Sequence, residues 1–157
     1  MTRTAIEQLG DDARIWIFGI SPAIDDEKSR TLLQNVDRFL DDWAAHGAPI
    51  TSARELREGS FLVVAVDRAS ETSGCSIDRM FGTLRNLEQS LGVAILDANR
   101  VFLRDARGEV AAIPRREFRA AGDLDTIVFD VTAERLRDVR GGAWEKRAAE
   151  SWHKQLL

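Results

Sequence analysis

The alternation of apolar and polar positions divides the chain into short strands and two amphipathic helices. Arg14-Ile15-Trp16-Ile17-Phe18-Gly19-Ile20 is apolar at both alternate sets of positions, which predicts a strand covered on both faces. Ser21-Pro22 breaks it. Leu32, Val36, Phe39 and Trp43 recur at helical spacing, with Leu33 and Leu40 beside them. They predict a helix with Asp25 as N-cap and Asp26 and Glu27 at the positive end of its dipole. His46-Gly47 is expected to stop that helix, with Gly47 as a left-handed C′ residue. Residues 51–56 give a fainter strand pattern, and Arg57-Glu58-Gly59-Ser60 reads as a hairpin loop. Phe61–Val66 is the most apolar run and predicts the central strand.

The stripe Ile77, Met80, Leu84, Leu87 and Leu91 predicts a second helix that starts near Ser76 and stops at Gly92. Residues 100–104 and 109–113 flank Asp105-Ala106-Arg107-Gly108 as a second hairpin. Pro114 suits the first turn of a short helix ending at Gly122. Residues 126–131 read as a strand, and Thr132 as the cap of a helical piece reaching Arg137. Residues 143–157 read as a short helix with Trp144, Trp152 and His153. Residues 1–13 are polar and patternless, and are expected to be a flexible lead-in to one domain spanning 14–157. The order strand–helix–strand–strand–helix–strand predicts an α+β fold. Its core is expected to be a ferredoxin-like βαββαβ antiparallel sheet, extended by a C-terminal β-hairpin, a further strand and a helical tail.

Composition narrows the function classes. The 157 residues carry a formal charge of −4 with a pI near 5.3, against the basic balance of a dedicated nucleic-acid binder. The single cysteine, Cys75, excludes an internal disulfide. No apolar run approaches the roughly 18 residues that span a bilayer, and no basic start leads into an apolar segment. The expectation is a reduced, cytoplasmic protein with no nucleic-acid or membrane partner.

Candidate chemistry centres on Thr72-Ser73-Gly74-Cys75-Ser76-Ile77-Asp78, which joins the most apolar strand to the second helix. A helix N-terminus favours a thiolate, so Cys75 is a candidate nucleophile with Ser76 as a donor. The alternative is a small buried cysteine beneath a capped helix. Gly74 lets the backbone bend, and the same amides could receive a small anion, with Asp78 competing for the dipole. His46 and His153 are the two histidines. Either would serve as base to Cys75 if it came within about 3 Å, and His153 is the favoured one. A zinc site from Cys75, His46 and His153 has suitable ligand types but no recognised spacing, so no metal and no cofactor is assigned. Asp67, at the end of the central strand, is a secondary binding candidate whose alternative is a turn aspartate. Arg115, Arg116 and Arg119 form a small basic helix face. Trp152 and Trp144 are candidate anchors for the tail or for a partner.

Several of these stretches resemble a family of small bacterial proteins often labelled "ABC transporter ATPase". They are Trp43-Ala44-Ala45-His46-Gly47, Phe61–Val66 with Asp67, Ser73-Gly74-Cys75-Ser76-Ile77-Asp78, Asp125-Thr126-Ile127-Val128-Phe129 and Ser151-Trp152-His153. The resemblance implies a bacterial protein and carries no residue roles. The label implies ATP hydrolysis, and the residues reject it. A phosphate-binding loop needs Gly-x-x-x-x-Gly-Lys-[Ser/Thr], whereas Lys28, Lys146 and Lys154 are the lysines here and none follows a glycine. The sequence therefore points first to a binding or assembly module. Its partner would be a protein or a small anionic ligand, with room for a homodimer. The second reading is a thiol-dependent enzyme or redox sensor.

Overall fold

The computed structural model describes residues 3–157. In chain order, β1 (Arg14–Gly19) leads to α1 (Asp26–Asp41) and a small hairpin, β2 (Ala44–Ala45) and β3 (Ala48–Pro49). Next come β4 (Ser52–Arg57), β5 (Phe61–Val66) and α2 (Gly74–Leu91). The second half holds β6 (Arg100–Arg104), β7 (Val110–Pro114), α3 (Arg115–Ala121), β8 (Ile127–Phe129), α4 (Leu136–Arg140) and β9 (Glu145–Arg147), followed by 3-10 turns to Leu156. Strands pair antiparallel throughout the three sheets, so the chain is an α+β protein.

β5 lies between β1 and β4, and all six of its side chains are buried. Alternation sends them to two different cores. Leu62, Val64 and Val66 join Phe18 of β1 and the stripes of α1 and α2. Phe61, Val63 and Ala65 join Ile15, Ile17, Phe102, Phe129 and Trp144. The first sheet is thus covered by helices on one face and by the second sheet on the other. That second sheet has the order β7-β6-β8-β9, and its outer face packs on Phe118 of α3 and the tail.

The βαββαβ expectation places the strand after α2 in the same sheet as β1. The structure instead pairs β6 with β7 and β8 in the second layer. The connection after α2 explains this. Glu88 accepts the N–H groups of Ile95 and Leu96 at 2.7 and 2.9 Å, and Ala94 exchanges two hydrogen bonds with Ser21. These bonds hold the connection across the end of β1, so β6 enters beneath the sheet and not beside it. Phe102 then lies against Gly19, leaving no room there for a Cβ.

Other expectations change in detail. α1 stops at Asp41, and His46-Gly47 forms the tip of the β2–β3 hairpin. Both residues have positive φ, 52° and 77°, as a two-residue hairpin turn of this kind requires. α2 begins at Gly74, two residues before the expected start, because Ser73 is its cap. The C-terminal segment is a short strand and 3-10 turns, not one helix. Residues 1 and 2 of the expected flexible lead-in lie outside the described residues. From residue 3 the lead-in is docked: Arg3 bridges Ser52, and Leu9 and Ala13 are buried in the core between the sheets.

The close fit of Phe102 on Gly19 gives a direct test. Gly19→Ala should lower unfolding stability in urea by about 1–3 kcal/mol, the usual range for overpacking. Combining it with Phe102→Leu should cost less than the sum of the two single changes, because both act on one contact.

Candidate functional site

The capping chemistry of α2 places the sequence-marked residues. Ser73 accepts the N–H of Ser76 at 3.1 Å, and Ser76 Oγ accepts the N–H of Ser73 at 2.8 Å. This reciprocal box occupies the Ser73 and Ser76 amides, and the Ile77 N–H is bonded to Ser73 O, so these three are not open to an anion. Ser76 is buried, its hydroxyl donates to Ser73 O at 2.8 Å, and its own carbonyl accepts from Trp43 Nε1 at 2.9 Å. Ser76 therefore serves the cap and has no hydroxyl donor left for Cys75. Gly74, Cys75 and Asp78 are exposed, as is His46 on the hairpin tip. No hydrogen bond joins His46 to Cys75. The alternative of a buried cysteine is corrected: the thiol faces solvent.

His153 lies elsewhere. Cys75 is in the helix layer, while His153 belongs to the tail packed on the second sheet beside Phe118, with ring centroids 6.1 Å apart. The paired Cys75–His153 nucleophile and base is therefore not assembled. Among the described residues, no three His, Cys, Asp or Glu side chains are grouped to hold a metal ion. No helix is long and apolar enough to cross a membrane.

His153 and Trp152 take part in a different arrangement. The His153 ring is stacked on Trp152 at 3.9 Å, and its Nδ1 is 2.6 Å from Ser151 Oγ. Trp152 Nε1 donates to Asp130 Oδ1 at 3.2 Å. Burial pushes the His153 pKa down to about 4, with Arg115 and Lys146 adding to the shift and Asp130 opposing it. The imidazole is neutral at pH 7. Burial works against the Asp130 carboxylate, but the hydroxyl and amide of Thr132, the Trp152 indole and Lys146 hold it below its usual range.

This arrangement forms one wall of a groove of about 430 Å³ along β1. Ile15 N–H is bonded to Glu134 O and Ser21 N–H to Ala94 O, both at 2.9 Å, so odd-numbered residues of β1 face away from β5. Between these two pairs, the C=O of Ile15 and both backbone groups of Ile17 and Gly19 meet no backbone partner among the described residues. Apolar walls come from Trp16, Phe81 and Leu96. Arg14, Arg100 and Arg115 supply positive charge against Asp97 and Glu134. Arg100 is paired with Asp97 at 2.9 Å, while Arg14 and Arg115 lie over the rings of Trp16 and Trp152 at 4.3 and 5.2 Å.

Three of these groove residues, Arg115, Trp152 and His153, stand out in the sequence as candidates, and the strand-edge groups do not. Free backbone groups leave no trace in residue type, because the signal lies in where β6 fails to pair. Asp67 is the candidate at the end of the central strand. It forms a turn, accepting the N–H of Ala69 at 2.9 Å, and it also borders a basic recess at the Arg14 end of β1. No family model, curated protein or solved structure matches the chain.

Two measurements check these assignments. Cys75 should react with iodoacetamide in the native protein without denaturant, and Cys75→Ser should leave stability unchanged within about 0.5 kcal/mol. For His153, the unfolded chain takes up its proton near pH 6.5 and the folded chain near 4. Its contribution is complete above about pH 6.5 and is lost as pH falls toward 4, on the order of 3 kcal/mol in all. Urea melts across this window should show that loss, and His153→Gln should flatten it. The stability from the lowered carboxylates Asp12, Asp37, Glu58, Asp97 and Asp130 is lost only below about pH 4.5.

Proposed function

We propose that this domain is a binding module that takes a short acidic peptide segment of a partner protein as an added strand on β1. The observation that carries the reading is the row of outward backbone groups from Ile15 to Gly19, set in the floor of a groove. An extended peptide satisfies such a row directly, and side-chain pockets then supply selectivity. The pairs at Ile15 and Ser21 bracket the row. At about 3.4 Å per residue the whole interval is roughly 20 Å, which admits a guest of about four residues.

Charge selects among such guests. Arg14 and Arg115 carry no ion pair among the described residues and line the same groove. Held against tryptophan faces, their guanidiniums are positioned for carboxylates. Phe81 and Leu96 favour an apolar residue between the acidic ones. In this reading β1–α1–β4–β5–α2 is a ferredoxin-like unit whose fourth strand is supplied by the partner. A free thiol without disulfides suits a cytoplasmic setting.

The thiol reading retains an exposed Cys75 but has no imidazole in place beside it. The binding reading rests on geometry that is already assembled, so it is preferred.

A library of tetrapeptides and hexapeptides with acidic, neutral and basic flanks tests this by isotope-edited NMR. Acidic members should bind, with slowed amide exchange at Ile17 and Gly19, and affinity should fall as salt rises. Phe81→Asp should weaken binding at least tenfold. Binding that leaves the Ile17 and Gly19 amides unprotected, or equal binding of basic peptides, would overturn the reading.

A further inference from the structure

A second recess, of about 420 Å³, opens where the bridge between Arg14 and Arg135 closes one end of the groove. Its charged lining is Arg14, Arg68, Arg135 and Arg137 against Asp12 and Asp67. In a chain with a formal charge of −4, four cations facing two anions is a local reversal of sign. Both carboxylates are already engaged. Asp12 pairs with Arg68 at 3.0 Å, and this partner holds its carboxyl below the usual range. Asp67 is held by its own turn.

The pairing of Arg14 with Arg135 is the unusual feature. The two hydrogen bonds of this bridge, Ile15 N–H to Glu134 O and Leu136 N–H to Ala13 O, flank the arginine pair and do not join it. In antiparallel pairing this is the position where side chains come closest, with Cα atoms about 4.5 Å apart. Like charges directly opposite each other destabilise a sheet. Neither arginine reaches a carboxylate: Arg14 rests on Trp16, and Arg135 has no ion pair among the described residues. The bridge therefore sets two arginines on facing positions, both lining the recess, and a bound anion would neutralise them.

We propose that this recess binds the phosphate group of a small phosphorylated molecule. A phosphate monoester carries a charge of about −1.5 to −2 near pH 7, which matches the excess of two positive charges in the lining. Its oxygens suit the guanidinium forks of Arg135, Arg137 and Arg14, and the Thr72 and Ser70 hydroxyls stand at the same wall. The site is separate from the peptide groove except for Arg14, so its success or failure does not decide the earlier reading.

The test uses the intact chain at constant ionic strength. Pyrophosphate, glycerol phosphate and inorganic phosphate are titrated by calorimetry, with sodium chloride and sulfate as controls and a phosphoserine peptide as a competing class. One-to-one saturable binding of the phosphates is expected, at least tenfold tighter than sulfate. Arg135→Gln and Arg137→Gln should each weaken it at least tenfold. Without ligand, Arg135→Gln should not lower Tm, because it removes a repulsion, and it should abolish the rise in Tm that pyrophosphate gives the native chain. Equal responses to phosphate, sulfate and chloride, unchanged binding in Arg135→Gln, or a lower Tm for that variant without ligand would overturn the proposal. A phosphoserine peptide that binds tenfold tighter than the small phosphates would overturn the small-molecule assignment.

Discussion

A strand with no solvent-facing side chain must be covered twice, and β5 imposes that constraint on the whole chain. One set of its side chains needs α1 and α2, and the other needs a second sheet. Phe61 shows how demanding the second set is. Its ring meets Phe129 and Trp144 at 4.8 Å and Phe102 at 5.2 Å, so three separate segments of the C-terminal half converge on one side chain. Burial of each such ring is worth roughly 1.5–3 kcal/mol, and aromatic contacts add to this. The C-terminal half is therefore a required layer and not an appendage.

The same constraint creates the groove. If β6 lay beside β1, it would complete the first sheet but could not place Phe102 on Phe61. Covering the lower face takes β6 out of the plane, and β1 keeps an open edge. The helix layer is fastened independently. Trp43 bonds to Ser76 O, and Arg54 of the edge strand makes a two-pronged ion pair with Asp37 of α1 at 2.8 and 2.9 Å. The Arg54 guanidinium holds the Asp37 carboxyl below its usual range. The side chains of this clamp, Trp43, Ser76, Arg54 and Asp37, do not line the groove.

Residue patterns made much of this frame legible. Both alternate sets of β5 are apolar, and the Leu84–Leu87–Leu91 stripe and the Asp25 cap are visible by inspection. Asp25 does accept the Lys28 N–H at 2.8 Å. His46-Gly47 misled because Gly after a helical pattern serves a helix stop and a hairpin tip equally well. Trp43, read as the last helical knob, lies just beyond α1 and is fixed by a hydrogen bond to Ser76, which no local pattern encodes. The Cys75–His153 pairing failed for a similar reason, since periodicity says which residues are buried but not which layer receives the tail. Arg14 and Arg135 are distant in sequence, and only the bridge between segments sets them opposite each other.

The bracketing of β1 has a further consequence for how the chain behaves in a crowded solution. An open strand edge is a template on which other chains can stack and grow into fibrils. Here the Ser21–Ala94 and Ile15–Glu134 bonds stop the edge at both ends, so a long strand cannot lie along it. At the opposite margin of the sheet, Arg3 bridges Ser52 and Thr4 N–H bonds to Ser52 O at 2.7 Å, shielding the start of β4. The fold can keep part of a strand uncovered without becoming a nucleus for self-association.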